Sequence, residues 1–103
     1  MTVLSLWKGQ IPPPASMNRR ERMEAALADV AAEYDVAADD ILGPTKRPKV
    51  CAARQAAMHR LYALGWLSTS QVGRFLNRDH STVVYGLKAH KARMSERLEA
   101  EAA

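Results

Sequence analysis

Apolar positions in this chain recur at intervals of three and four, and no strand-length run alternates apolar with polar. Met23, Leu27, Val30 and Tyr34 share one face of a helix predicted over about residues 18–34. Asn18, with Glu21 three positions on, supplies a cap and its reciprocal partner at the start. Asp39-Asp40-Ile41-Leu42 predicts a short second helix, stopped by Gly43-Pro44. Ala53, Ala57, Leu61 and Leu64 give an apolar face to a third, over about residues 50–64, with Gly65 as its terminator. Ser68 with Gln71 forms a second capping box, and Leu67 with Val72 a hydrophobic staple, at the head of a fourth helix of about eight residues. After a turn at Asn77-Arg78 a last helix is predicted from about His80 to residue 97 or beyond. Val83, Val84, Leu87, Met94 and Leu98 are expected toward the core, and Ser81, Tyr85 and Lys88 on another face. The expected fold is all-α, a small bundle of about five helices spanning residues 18–98. Pro12-Pro13-Pro14 marks residues 1–17 as a tail, and Glu99 and Glu101 make an acidic tail of residues 99–103.

At 103 residues the chain has room for one domain with a modest core. A single cysteine cannot form an internal bridge, and neither a signal-like apolar core nor an 18-residue apolar run occurs. The expected setting is the cytoplasm, associated with the nucleoid, with no membrane partner. Charge changes the picture more. The net charge of +4 conceals a partition: four basic side chains face seven acidic ones before Lys46. From Lys46 to Arg97 eleven basic residues face only Asp79 and Glu96, a net of +9. Solvated helical surfaces mix signs, so such a block is the footprint expected of a polyanion binder.

Helix, tight turn and helix with basic flanks is the arrangement of a helix-turn-helix, and Arg78-Asp79-His80-Ser81-Thr82-Val83-Val84 would open its second helix. Val72-Gly73, four further residues, then Arg-Asp-His-Ser-Thr-Val resembles the signature of the C-terminal DNA-binding domain of the bacterial replication initiator DnaA. Upstream, Val30-Ala-Ala-Glu-Tyr34, Val36 and Asp40-Ile-Leu42 are similar to that domain's first helices. Lys46-Arg47 is similar to its basic loop, and Ala53-Arg54-Gln55-Ala56-Ala57-Met58 to the helix after it. The resemblance covers about residues 18–98. Three positions depart from the family pattern. Asn77 stands alone where two glycines are usual, Ser81 replaces the commoner threonine, and Ala52 replaces an arginine that reaches into the minor groove. Arg47 or Lys49 is then left to reach there.

The resemblance implies sequence-specific binding of double-stranded DNA, with Asp79, His80 and Ser81 reading bases. Asp79 suits both an N-cap and acceptance from a cytosine amino group, and by resemblance His80 touches a thymine methyl. Arg54, Gln55, Arg78, Thr82, Tyr85 and Lys88 are expected on phosphates, where contacts fix register without reading sequence. Lys46, Arg47 and Lys49 form the basic loop.

Trp66, Phe75 and Leu76 are read as core, and Gly73 as a point of close helix approach. His59, His80, His90 and Cys51 show no ligand spacing, so no metal is expected; no cofactor, small-molecule substrate or catalysis is expected either. No Gly-x-x-x-x-Gly-Lys-Ser/Thr loop occurs, so the expected action is by occupancy, in replication-initiation control or transcriptional regulation. In the N-terminal tail, Val3-Leu4-Ser5-Leu6-Trp7 loosely resembles the peptides by which replication proteins dock on the DNA sliding clamp. Leu4, Leu6 and Trp7 therefore carry the alternative: an interaction module of the replication machinery with incidental DNA affinity. A dimeric transcription factor reading an unrelated operator is a third.

Overall fold

Each predicted helix forms, and most begin on the side chain the sequence places there. The computed structural model describes residues 17–102 as α1 (Arg19–Tyr34), α2 (Ala38–Leu42), α3 (Pro48–Tyr62), α4 (Thr69–Leu76) and α5 (His80–Ala102). The Asn18 side chain accepts from the Glu21 amide at 2.8 Å, while the Asn18 amide donates to the Glu21 carboxylate at 2.9 Å. Ser68 and Gln71 repeat this reciprocal pair at α4, at 3.1 and 2.8 Å. Each box satisfies two amides that a helix start leaves without partners. The third helix begins two residues earlier than its apolar spacing predicts, because Pro48 suits a first turn whose amides have no partner anyway. It ends at Tyr62, and Gly65 then takes a positive φ of 92°.

α3 is the central element, packing against all four other helices. Ala53, Ala57 and Leu61 on its buried face are fully enclosed, together with Val30 from α1, Ile41 from α2, Val72 and Leu76 from α4, and Val83 from α5. Met23, Tyr34, Leu64, Phe75 and Leu87 pack around this cluster. Burying a Val-, Leu- or Ile-sized side chain contributes about 1.5–3 kcal/mol, so α3 holds the other elements in register.

Two expectations about the core are corrected. Leu98 is 67% exposed, because α5 runs on past the bundle as helix and takes Glu99 and Glu101 with it. Trp66 is only half-buried and lies under the Arg19 guanidinium, 5.2 Å from the ring centroid. The tail carrying Leu4, Leu6 and Trp7 falls outside the described residues, so docking through it is not addressed by the fold.

The turn between α4 and α5 is the tightest point. Asn77 takes the left-handed conformation at φ 61°, which asparagine tolerates better than most residues. The Arg78 amide then donates to the Gly73 carbonyl at 2.7 Å. A methyl group on Gly73 would collide with the Arg78 carbonyl oxygen. Gly73 therefore lets the chain double back close against α4, as its place in the sequence suggested.

Candidate nucleic-acid interface

The first turn of α5 presents the three expected reading residues to solvent. Asp79, His80 and Ser81 are all exposed, as is Thr82. Asp79 is the N-cap: its Oδ1 accepts the Thr82 amide at 2.9 Å, and its carbonyl accepts the Val83 amide at 3.2 Å. The bonds from the Thr82 amide and then its hydroxyl hold the Asp79 carboxyl below the usual carboxylate range. Oδ1 is thus committed to the helix, and the carboxylate has a second oxygen with which to accept.

Beside this turn runs a groove of about 300 Å³ whose walls include Lys46, Gln55, Arg78, Thr82 and Tyr85. Six of the expected contact residues, Arg54 among them, from the basic loop, α3, the α4–α5 turn and α5, therefore border one concave surface. Tyr85 is 69% exposed, so it projects over the groove rather than packing between helices. The Gln55 carbonyl oxygen accepts from Arg93 at 2.8 Å, which orients its amide. Lys88 is exposed further along α5.

The basic loop divides. Lys46 lines the groove, whereas Arg47 pairs with Asp40 at 3.5 Å and Lys49 with Asp35 at 3.8 Å, on a separate cleft. Exposed pairs of this kind contribute under about 1 kcal/mol, so they direct the resting side chains without locking them. The loop residue directed toward α5 is Lys46, not Arg47 or Lys49.

Arg54 requires a correction. Expected as a surface phosphate contact, it is only 7% exposed. Its Nε donates to the Ile41 carbonyl at 2.8 Å, and its Nη2 lies 3.0–3.1 Å from the carbonyls of Asp40, Gly43 and Thr45. It clamps the end of α2 and the chain beyond it, satisfying carbonyls that a helix C-terminus leaves open. The sequence held a signal for this: Arg54 falls on the i, i+4, i+8 stripe of Val50 and Met58, both buried. Arg78 is half-engaged. Its Nη2 reaches the Gly43 carbonyl at 2.6 Å, and its Nη1 the Asn77 carbonyl at 2.9 Å. Burial, and then the neighbouring charge of Arg54, push the Arg78 pKa down.

Sequence reasoning also missed a basic patch contributed by the nominally acidic half. Arg19 and Arg20 stack over Trp66 and Phe75, each 5.2 Å from the ring, beside Arg74 of α4. Only the tertiary fold, which sets the start of α1 across a cleft from the α3–α4 loop and α4, brings these residues together. Among the described residues no three His, Cys, Asp or Glu side chains gather as a metal site, and no helix is long and apolar enough to cross a membrane.

A capped short helix, a left-handed turn tightened by Gly73, and a second helix whose polar first turn stands exposed on a basic surface define a helix-turn-helix DNA-binding domain. The chain belongs to the bacterial dnaA protein helix-turn-helix family, whose model matches residues 23–89. Among its relatives is the chromosomal replication initiator protein DnaA of Mycobacteroides abscessus, 37% identical over 76 residues, which are 73% of this chain and 16% of that protein. The protein of the same name from Cutibacterium acnes is 35% identical over 74 residues, 71% of this chain and 15% of its own length. The chain thus spans about a sixth of these relatives, and the matched part is the DNA-binding one. No solved structure matches it significantly.

Proposed function

We propose that this domain binds short asymmetric duplex sites of the kind read by replication initiators, and acts by occupying them, in replication-initiation control or transcriptional regulation. The observation that carries the reading is the groove joining Lys46 to the exposed first turn of α5. Asp79, His80 and Ser81 enter the major groove, with Asp79 accepting from a cytosine amino group and His80 meeting a thymine methyl. Lys46 reaches the adjacent minor groove. Arg78, Thr82, Tyr85, Gln55 and Lys88 hold the phosphates between, which sets register and supplies the salt-dependent part of the affinity. The relatives' name, chromosomal replication initiator, suggests the class of site.

The test is a titration of labelled duplex at physiological salt, comparing an initiator-type box with a scrambled one. Specific readers discriminate by about a thousandfold or more, and a ratio below about tenfold would refute base reading. Asp79→Ala and His80→Ala should each weaken the preferred duplex by about tenfold or more and leave random duplex nearly unchanged.

A further inference from the structure

The basic loop and the reading end of α5 lie far apart in sequence, and one carbonyl oxygen joins them. Gly43 accepts from Arg54 Nη2 at 3.0 Å and from Arg78 Nη2 at 2.6 Å. Arg54 also gathers the carbonyls of Asp40, Ile41 and Thr45, so a single guanidinium fixes the chain from the end of α2 to the residue before Lys46. Arg78 immediately precedes Asp79. Its amide ties it back to Gly73 of α4, while its side chain crosses to the loop. We propose that Arg54 and Arg78 are positioning residues that hold Lys46 and the Asp79–Ser81 turn at one fixed separation, so that the protein accepts only duplex sites whose loop-facing and helix-facing segments are spaced to match.

The inference rests on the two-part reading proposed above and adds what sets its spacing. Two features favour positioning over simple stability. Neither guanidinium has a carboxylate partner among the described ion pairs, so two like charges converge on one carbonyl at the wall of the groove. Phosphates laid along that groove relieve the repulsion, which links the tether to the bound duplex. The guanidinium is also a rigid planar fork, which fixes direction as well as distance; an ammonium does not.

The experiment uses the full chain and an Arg78→Met variant, because Arg54 satisfies too many carbonyls for its removal to be informative. Amide hydrogen exchange in the free protein reports the tether without DNA, and selection from a randomised duplex library reports the spacing. Exchange at Gly43 and Arg47, whose amides donate to the Asp40 carbonyl and the Thr45 hydroxyl, should quicken at least tenfold in Arg78→Met. Wild type should select sites of one spacing, whereas the variant should accept sites one or two base pairs longer or shorter. Arg78→Lys should keep the wild-type salt dependence and still relax the spacing. If Arg78→Met does not fold, Arg78→Gln carries the same two readouts. Unchanged exchange, or a single wild-type spacing retained by the variant, overturns the inference. Wild type selecting no sequence at all overturns the two-part reading and the spacing claim with it, while the exchange result still shows whether the tether exists.

Discussion

Gly73→Ala is the sharpest test of how the reading end of α5 is placed. On helix propensity alone the change should stabilise α4, since alanine is favoured over glycine by about 1 kcal/mol inside a helix. The tertiary structure reverses the sign. The new methyl would overlap the Arg78 carbonyl oxygen, with the Arg78 and Asp79 carbonyl carbons each only 3.3 Å away. All three are backbone atoms of the turn, so no rotamer change relieves the clash and the start of α5 must move. Overpacking against a well-packed site costs about 1–3 kcal/mol, with immovable backbone at the upper end. Less the propensity gain, the net destabilisation is about 1–2 kcal/mol. For a domain of this size that lowers Tm by about 5–15 °C. Gly86→Ala is the comparison: there the methyl would meet the sulfur of Met58, buried but unbranched, so the strain falls on a side chain that can repack and not on backbone. Thermal unfolding followed by helix circular dichroism checks both. A Gly73→Ala protein as stable as wild type, or one no less stable than Gly86→Ala, would refute the argument that the turn is fixed by backbone contact.

Other outcomes follow from the same geometry. His90 is 8% exposed, with its ring 4.9 Å from that of His59, and burial, then His59, Arg93 and Arg60, lower its pKa. Glu33, Tyr34, Met94 and Arg97 complete the cleft it borders. The unfolded chain therefore binds a proton that the folded one resists, so stability is full above about pH 6.5 and falls as pH drops below it. Urea unfolding at pH 7.5 and 5.5 should show that loss, and His90→Leu should shrink it; an equal loss in the variant would point elsewhere. Lys46→Ala should lower duplex affinity and reduce the salt slope by about one unit, whereas Lys49→Ala, paired with Asp35, should do less; the reverse order in salt titrations would contradict the division of the loop. Leu61→Ala, at a fully buried position of the central helix, should cost about 2–5 kcal/mol by denaturant unfolding.

The sequence alone determined the helices, because local rules govern them. Two capping boxes, a proline-glycine stop and apolar spacing of three and four each act within a turn or two of chain. The polar first turn of α5 was legible for the same reason, since Asp79 caps the helix from its own neighbourhood. The +9 block told what kind of partner to expect, because charge composition survives folding. What tertiary structure decided is which charged side chains are free. Arg54 reads as a surface cation until Ile41 and Gly43 come around it, and Arg78 until Gly43 arrives from 35 positions away. Lys46 and Arg47 are sequence neighbours that turn to different clefts. Leu98 shows the other side of the rule: helical spacing says which face a residue occupies, but only the length of the packed bundle says whether that face is covered. Periodicity is a property of one helix, whereas burial and pairing depend on which distant atoms complete the shell around it.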